Sequence, residues 1–303
     1  MSPVPNPKPY ILLITTRPQG WASQRFRAAA KQRRLAIRTA DPANALLELG
    51  PGGIRIRLDG RKIPLPASVI PRLGPGNYEN GFALLEHFEA AGIPLCSRRA
   101  GIEAAHDTLR TLILLQTASL NVPHTARLIS IKDLKIAQKI IPGPPWILKT
   151  FTGAMGIGTM LITKPDQLEA LAATFWALKQ PVLLQEFVRS VDDSIADIRA
   201  LVVDGKVLGA IRRSARPGEF RANVHRGGTP QTINLGRSDK KIAIRAARAV
   251  GLGIAGIDWI FTSKGPVVLE VNATPGFKGF ETATGIDVAG AMIDYAARIG
   301  GLK

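Results

Sequence analysis

Three polar residues near the end of the chain interrupt two apolar runs in a pattern that predicts a metal site. Asp258 interrupts the first run, and Glu270 and Asn272 interrupt the second; residues 262–266 between them are typical of a hairpin turn. Because alternate residues of a strand share a face, Glu270 and Asn272 should point to one side. Two carboxylates and an amide oxygen are ligands that Mg²⁺ prefers when it also holds phosphates. The alternative is a hairpin whose polar groups face solvent, which is costly inside apolar runs unless those groups are paired.

A glycine-rich segment earlier in the chain predicts a second part of the same site. Lys149 ends an apolar strand and is followed by Gly153, Gly156 and Gly158. The spacing fits neither a Walker A loop nor a dinucleotide-binding fingerprint. A glycine-rich hairpin can still offer backbone N–H groups to phosphates, with Lys149 as a point charge. A plain β-turn explains these glycines equally well.

The third chemically suggestive stretch is rich in basic residues. Arginine or histidine occupies six positions within residues 212–226, and Asn223 and a pair of glycines are interleaved with them. This density favours a site for phosphate or carboxylate groups over the alternatives, which are a nucleic-acid patch or a solvated loop.

These three parts, taken together, are suited to handling ATP. The sequence offers no Ser/His/Asp or Cys/His arrangement for nucleophilic catalysis and no zinc-ligand spacing. The chemistry is therefore predicted to be charge neutralisation and positioning around a transferred phosphoryl group.

The elements that must position these parts form an α/β protein. Strands alternate with helices over about the first 95 residues, which predicts a small domain with a largely parallel sheet. Beyond it we expect the elements that follow: a helix at residues 98–119, a strand at 182–188 that lines an adenine pocket, a hairpin at 197–211, and helices at 240–250 and 285–298. Two domains result, 1–97 and 98–303, the second divided into a central part (98–185) and a C-terminal part (186–303).

One helix in the first domain is predicted to carry a basic stripe. The helix is expected at residues 21–38, and Arg27, Lys31, Arg34 and Arg38 recur at offsets of four, three and four. A solvated helix face is the favoured interpretation, and a docking surface for an acidic partner is the alternative.

Composition limits the classes of function. The chain has 303 residues, enough for about two domains, and its 40 Lys+Arg against 23 Asp+Glu give a net charge of +17. Such a charge attracts polyanions or acidic peptides. The single cysteine, Cys96, excludes an internal disulfide and fits a reducing compartment. The N-terminal apolar run is too short for a signal sequence or a membrane span, so we expect a soluble cytoplasmic protein.

The motifs that carry these features resemble those of the ATP-grasp fold, and within it the RimK family of α-L-glutamate ligases. The similarity extends from about residue 10 to residue 299, and its main motifs are KTFTGAMGIG, DIRALVV, FRANVHRGG, GIDWI and VLEVNATPGF. IPRLG and TGIDVAG add to it. The resemblance implies an ATP-grasp fold preceded by a Rossmann-like pre-ATP-grasp domain.

The same resemblance implies a role for each matching residue. Lys149 and the glycine segment would hold ATP phosphates, and Asp258, Glu270 and Asn272 would bind two Mg²⁺ or Mn²⁺ ions, with Glu270 bridging them. Glu186 and Phe187 would form the hinge that contacts adenine, and Asp197 would contact the ribose. Arg221, Ala222 and Asn223 would contact the phosphate and the activated acceptor. Arg213 and Arg221 could neutralise an acyl phosphate.

Three departures from the family pattern bear on the substrate. Thr108 follows Asp107 where relatives have lysine, and residues 212–214 read Arg-Arg-Ser, unlike glutamate-adding relatives. Residues 191–196 contain a short insertion.

The leading prediction is an ATP-dependent carboxylate–amine ligase. It would add glutamate or a related amino acid to the C-terminus of an acidic peptide or ribosomal protein, without reading nucleic acid directly, and the resemblance implies a tetramer. One alternative is a ligase that acts on a small molecule. The other is an RNA- or ribosome-binding protein with a relict active site, although aromatic residues are only 6% of the chain.

Overall fold

The protein has fifteen strands and nine helices in the part of the chain that the computed structural model describes, residues 8–51, 53–74, 76–150, 158–216, 219–220 and 229–302. The strands are β1 Ile11–Thr15, β2 Ile37–Ala40, β3 Ala45–Gly50, β4 Gly53–Leu58, β5 Arg61–Lys62, β6 Ser68–Arg72, β7 Thr125–Leu128, β8 Trp146–Thr150, β9 Thr159–Ile162, β10 Val182–Glu186, β11 Ala196–Val203, β12 Lys206–Ser214, β13 Thr229–Ile233, β14 Ile254–Thr262 and β15 Gly265–Asn272. The helices are α1 Trp21–Gln32, α2 Tyr78–Ala90, α3 Arg99–His106, α4 Thr108–Thr117, α5 Ile131–Ile140, α6 Pro165–Ala177, α7 Arg237–Val250, α8 Lys278–Thr284 and α9 Val288–Ile299.

The N-terminal region contains the predicted parallel sheet. Its order is β2-β1-β6, and all of β1 is buried because helices cover both faces of the sheet. A second sheet in this region is antiparallel and has the order β3-β4-β5. The division of the chain at residues 97 and 98 stays a prediction.

The predicted basic stripe is wrong, because α1 is shorter than its pattern suggested. The helix ends at Gln32, and Arg34 adopts a left-handed conformation with φ of 57°. The chain then turns into β2, which contains Arg38. Only Arg27 and Lys31 of the four basic residues share the helix, so no continuous stripe exists.

The single helix predicted at residues 98–119 is also wrong. Asp107 adopts an extended conformation (φ −101°, ψ 111°) and separates α3 from α4. Its carboxylate accepts a hydrogen bond from the Arg110 backbone N–H at 3.0 Å, which caps α4. The extended conformation of Asp107 thus ends α3, and its capping hydrogen bond stabilises the start of α4.

Two antiparallel sheets in the rest of the chain form the walls of a cleft. The first has the order β7-β10-β8-β9, and the second has the order β13-β12-β11-β14-β15. The second sheet contains both predicted hairpins, residues 197–211 and the hairpin with the three polar residues. The last predicted helix, at residues 285–298, is α9, which begins three residues later than predicted; Gly285, with φ of 71°, instead ends the preceding helix, α8.

No helix within the described ranges is both long enough and apolar enough to cross a membrane.

Candidate active site

The floor of the cleft consists of charged residues that lie side by side on three neighbouring strands, β11, β14 and β15. Arg199 of β11 pairs in register with Asp258 of β14, and Asp258 pairs with Glu270 of β15. Directly opposed residues in a sheet have side chains on the same face, so the three groups are adjacent. Asn272 lies two residues further along β15 and shares the face of Glu270, as predicted.

A β-bulge in β15 brings an apolar side chain to the same face. The register shifts between Asp258 and Trp259, so that Trp259 pairs with Val268 and Leu269 is left without a partner in the ladder. Leu269 and Glu270 consequently both line the cleft. One strand therefore supplies an apolar wall and a carboxylate at consecutive positions.

Asp258 is buried and held by two guanidinium groups. Arg199 donates from Nε to Oδ1 at 2.7 Å and from Nη2 to Oδ2 at 2.5 Å, and Arg213 donates to Oδ2 at 2.9 Å. Burial would raise the pKa of Asp258, but attraction to Arg199 and Arg213 outweighs it and lowers that pKa. Asp258 is therefore a carboxylate at neutral pH, as a metal ligand must be.

Arg213 connects Asp258 to a second acid. Its Nε and Nη2 each lie 2.6 Å from an oxygen of Asp197, and only 3% of the Arg213 side chain is exposed. Burial lowers the pKa of Arg213, yet the two carboxylates raise it overall. The structure thus pairs Arg213 with both acids through its Nε and Nη2.

Glu270 and Lys149 face each other across the cleft. The Glu270 carboxylate is open to the cleft but lies among protein groups, and this crowding, together with the charge of Asp258, raises its pKa. Burial lowers the pKa of Lys149, and the charge of Glu270 opposes that effect. Each charge therefore supports the other, and both line the same cavity.

The side-chain amide of Asn272 provides a test of whether the site fits a cation. In one orientation its Oδ1 lies 2.9 Å from Glu270 Oε1, and its nitrogen lies 3.4 Å from Asp258 Oδ2. In the other, the nitrogen donates to Glu270 at 2.9 Å and the oxygen accepts from Arg199 at 3.1 Å. The second satisfies the amide without a cation.

The first orientation is the one that a cation would stabilise, since it brings two acceptor oxygens together. Adjacent ligands of Mg²⁺ lie about 3 Å apart, given metal–oxygen distances of about 2.1 Å in an octahedron. The residues present therefore fit Mg²⁺. Within the described part of the chain, no three His, Cys, Asp or Glu residues form a metal-binding group, so the amide is needed as the third ligand.

The rest of the cleft suits a planar apolar group. The cavity has a volume of about 300 Å³, and Ile147 of the first sheet faces it from one side while Ile260 and Leu269 of the second sheet face it from the other. Glu186 and Phe187, at the end of β10, line the edge between the two sheets, where the hinge was predicted. Such a slot with polar groups at one end can hold a nucleotide base.

The segment at residues 191–196, where we predicted a short insertion, forms part of the cleft wall. Val191 N–H donates to the Phe261 carbonyl at 2.8 Å, and Ala215 N–H donates to the Ile195 carbonyl at 2.9 Å. Asp193 and Ile195 line the cavity. The segment is therefore anchored to the second sheet at both ends.

The structure brings together most of the predicted site residues that it describes. Eight of them line the cavity or bond to a residue that does, namely Lys149, Glu186, Phe187, Asp197, Arg213, Asp258, Glu270 and Asn272. Gly158 closes the glycine hairpin, where its carbonyl accepts from Thr150 N–H at 3.1 Å. The remaining predicted residues lie outside the described ranges: Gly153, Gly156, Arg221, Ala222 and Asn223.

Sequence reasoning missed Arg199, the residue that holds Asp258 most closely. Arg199 lies 59 positions before Asp258, and only the register of β11 against β14 brings them together. The available signal was its place two residues after Asp197, on the same face of a strand. Arg189, which lies over the Phe187 ring at 5.6 Å, was missed as well.

Comparisons with known proteins agree with this geometry. The profile of the RimK-like ATP-grasp domain matches residues 105–296, and that of the RimK PreATP-grasp domain matches residues 10–102. A protein of Serratia proteamaculans called probable alpha-L-glutamate ligase is 36% identical over 280 residues, 92% of this chain and 93% of its own length. Probable alpha-L-glutamate ligase 1 of Shewanella amazonensis is 33% identical over 285 residues, 94% of each chain.

Solved structures show the same fold. The ATP-grasp ligase PsnB, complexed with minimal precursor, has a TM-score of 0.76 and 23% identity, covering 96% of this chain and 99% of its own. A RimK domain protein from Sphaerobacter thermophilus has a TM-score of 0.72 and 22% identity, covering 95% of this chain and 99% of its own.

Proposed function

The chain belongs to the RimK-like ATP-grasp family and is an ATP-dependent ligase that forms C–N bonds, and on that premise we propose its substrates and site. We propose that it joins glutamate, or a related amino acid, to a carboxylate of an acidic peptide or protein C-terminus. A ribosomal protein is one such acceptor. The observation that carries the proposal is the row formed by Arg199, Asp258 and Glu270 at the polar end of a slot that fits a nucleotide.

The reaction that we propose proceeds in two steps. The acceptor carboxylate attacks the γ-phosphorus of ATP, the bond to the β-phosphate oxygen breaks, and ADP leaves an acyl phosphate on the acceptor. The amino group of the amino acid then attacks the acyl carbon, phosphate leaves with the electron pair of the broken C–O bond, and the amine loses a proton. Cleavage of ATP to ADP and phosphate thus drives formation of an amide bond.

The residues of the floor bind and orient rather than react covalently. Asp258, Glu270 and Asn272 would hold two Mg²⁺ ions, which would neutralise phosphate charge. Lys149 adds a positive charge on the opposite wall, and Arg199 and Arg213 keep Asp258 ionised and correctly oriented. Asp197 would lie near the ribose. Arg221, Ala222 and Asn223 remain proposed contacts for the phosphate and activated acceptor.

The peptide acceptor is supported by charge and by the fold. The net charge of +17 favours an acidic acceptor. PsnB, which shares this fold, has been solved with its precursor peptide and AMPPNP, so such a fold accommodates peptides. A small-molecule acceptor is the alternative that the experiment below must separate. By the family resemblance we also propose a homotetramer, which analytical ultracentrifugation tests.

A single assay tests the proposal. The purified protein is incubated with ATP, Mg²⁺, each of the amino acids in turn and acidic peptides or small carboxylic acids, and the products are weighed by mass spectrometry. We expect an added glutamate on a peptide with a free C-terminus, and none on the same peptide with a C-terminal amide. Modification of small acids alone would favour the alternative acceptor.

A pair of variants separates the site from the rest of the fold. Glu270→Gln removes the charge that would bridge the cations and should abolish ADP formation. Glu169→Gln, on the exposed surface of α6, makes the same change away from the cleft and should keep full activity. Near-native ADP formation by Glu270→Gln would overturn the metal assignment.

A further inference from the structure

The side chain of Arg72 lies at the junction between the N-terminal sheet and the loop that follows β15, the strand with the proposed metal ligands Glu270 and Asn272. Arg72 is the last residue of β6 and pairs with Thr15, the last residue of β1. The two strands are parallel, so both residues lie at the carboxyl edge of the sheet. Open α/β sheets bind their ligands outside this edge.

Arg72 has no acidic partner among the described residues. Its guanidinium lies 5.7 Å from the ring centre of Phe26 and 5.2 Å from that of Phe277, and it donates to the Pro275 carbonyl at 3.0 Å. Arg25, at the same junction, instead binds Glu281 and Asp287, each at 2.8 Å. The two arginines therefore differ in their partners, since only Arg25 is paired with acids.

Burying a cation without a counter-ion costs free energy. Desolvation alone lowers the pKa of Arg72 to about 10, so the group remains charged at neutral pH. Two aromatic rings and one carbonyl compensate for part of the lost hydration. A guanidinium has five N–H donors, and among the described residues only the Pro275 carbonyl accepts from one of them.

Pro275 connects Arg72 to the candidate metal site. It follows Asn272 by three residues, and a Cβ placed on Gly256 would lie 2.9 Å from the Pro275 Cβ. Gly256 is itself two residues before Asp258 on β14. Arg72 is thus held against the loop that leaves the last metal ligand, on the side of the parallel sheet.

We propose that Arg72 binds a carboxylate of a substrate, either the α-carboxylate of the incoming amino acid or a carboxylate of the acceptor that is not activated. This assignment rests on the proposed ligase function, whose substrates all carry carboxylates. A planar guanidinium can hold both oxygens of such a group, and the two rings fix its plane. Arg72 would be a binding residue that positions a substrate at the junction.

The competing explanation is that Arg72 only clamps the loop. A clamp would lose stability on substitution and would affect all substrates together, whereas a binding residue affects the substrate that it contacts. Arg72→Lys keeps the charge and much of the volume, and Arg72→Gln removes the charge. Arg25→Gln is the matched control, because it breaks an ion pair at the same junction.

Steady-state kinetics with saturating ATP give the first measurement. We expect Arg72→Gln to raise KM for one carboxylate substrate by about 10- to 100-fold, with a smaller rise for Arg72→Lys. KM for ATP should change by no more than about twofold, and Arg25→Gln should leave both carboxylate KM values near those of the wild type. A rise for the amino acid identifies its α-carboxylate, and a rise for the acceptor peptide identifies the acceptor.

A substrate without the carboxylate gives the second measurement. If the amino acid is the ligand, replacing glutamate by its α-amide should raise KM for the wild type but hardly alter it for Arg72→Gln. If the acceptor is the ligand, the same pattern should appear with peptides whose side-chain carboxylates are replaced by amides. An equal penalty in both proteins would overturn the inference, as would a parallel rise in every KM with a lowered Tm.

Direct binding separates this inference from the proposed function. Calorimetric titration with L-glutamate and with the acidic peptide needs no turnover. Binding that Arg72→Gln weakens about tenfold or more would support the inference even if the wild type forms no product, an outcome that would refute the ligase proposal alone. Equal binding by both proteins, or no binding of either ligand to the wild type, would refute the role of Arg72.

Discussion

Arg199 chelates Asp258, with its Nε and Nη2 on the two carboxylate oxygens at 2.7 and 2.5 Å. A lysine could make only one such contact, so Arg199→Lys should leave Asp258 free to rotate. Loss of a partner that orients a metal ligand costs about 10- to 100-fold in metal affinity. We expect the Mg²⁺ concentration for half-maximal ADP formation to rise by that factor, measured in a Mg²⁺ titration at fixed ATP.

A matched control exists on the surface. Arg298 contacts both carboxylate oxygens of Asp204 in the same manner, but its side chain is 60% exposed and lies away from the cleft. Arg298→Lys should leave the Mg²⁺ titration unchanged within about twofold, since exposed ion pairs contribute little. If both variants shift the titration equally, orientation of Asp258 by Arg199 is not the cause.

Salt should weaken acceptor binding more than ATP binding. The net charge of +17 attracts an acidic peptide from a distance, and such attraction is screened when ionic strength rises. Between about 50 and 250 mM NaCl, we expect KM for the acidic acceptor to rise several-fold and KM for ATP to rise much less. Kinetics with both substrates at each salt concentration provide the comparison, and equal sensitivity would exclude steering by charge.

Gly253 should tolerate no side chain. A Cβ there would lie 2.1 Å from the Cys96 carbonyl oxygen and 2.4 Å from Tyr295 Oη. The Cys96 backbone is fixed by its bond to Val69, so Gly253→Ala should lower the free energy of unfolding by about 3 kcal/mol. Gly50→Ala is the control, because a Cβ at Gly50 meets nothing within 4 Å and should change stability by less than about 0.5 kcal/mol. Urea unfolding curves measure the stability of both variants. A Gly253→Ala variant as stable as the wild type would show that the contact between Gly253 and Cys96 can widen at little cost in free energy.

Cys96 should report unfolding. The side chain is 1% exposed, and burial raises the pKa of its thiol, with a smaller contribution from Asp204. The reactive thiolate is therefore scarce in the native protein at pH 8, and raising the pH to 9 should still not release it. We expect no reaction with an aromatic disulfide reagent until guanidinium is added, and then one thiol per chain. Fast labelling of the native protein would mean that the segment around Cys96 opens readily.

The sequence predicted the β14–β15 hairpin, with Glu270 and Asn272 on one face, because that information is local. Alternation along residues 267–272 and the turn before it determine which side chains share a face. The parallel N-terminal sheet was predictable for a similar reason, since fully apolar strands alternate with helices. In contrast, the end of α1 was not predictable, because Arg34 adopts its left-handed conformation without the glycine that commonly marks a helix end.

The rest of the site depends on contacts between distant parts of the chain. Arg199 meets Asp258 only through strand register, and Leu269 reaches the cleft only because of a bulge. The place of Arg199 two residues after Asp197 indicates which face of β11 it shares, but neither the register nor the bulge has a signature in a single sequence. The break at Asp107 could have been found, because an aspartate before a helical run is a common N-cap.

Arg199 and Arg213 also determine what the protein is like before any cation arrives. Three carboxylates on the floor, Asp197, Asp258 and Glu270, are matched by three basic groups, Arg199, Arg213 and Lys149. These six charges balance one another, so we expect the fold to be stable without magnesium. Removal of Mg²⁺ by a chelator should therefore abolish the activity of the enzyme without lowering its Tm. Cation and triphosphate can therefore arrive together, at acids that are already paired with basic side chains.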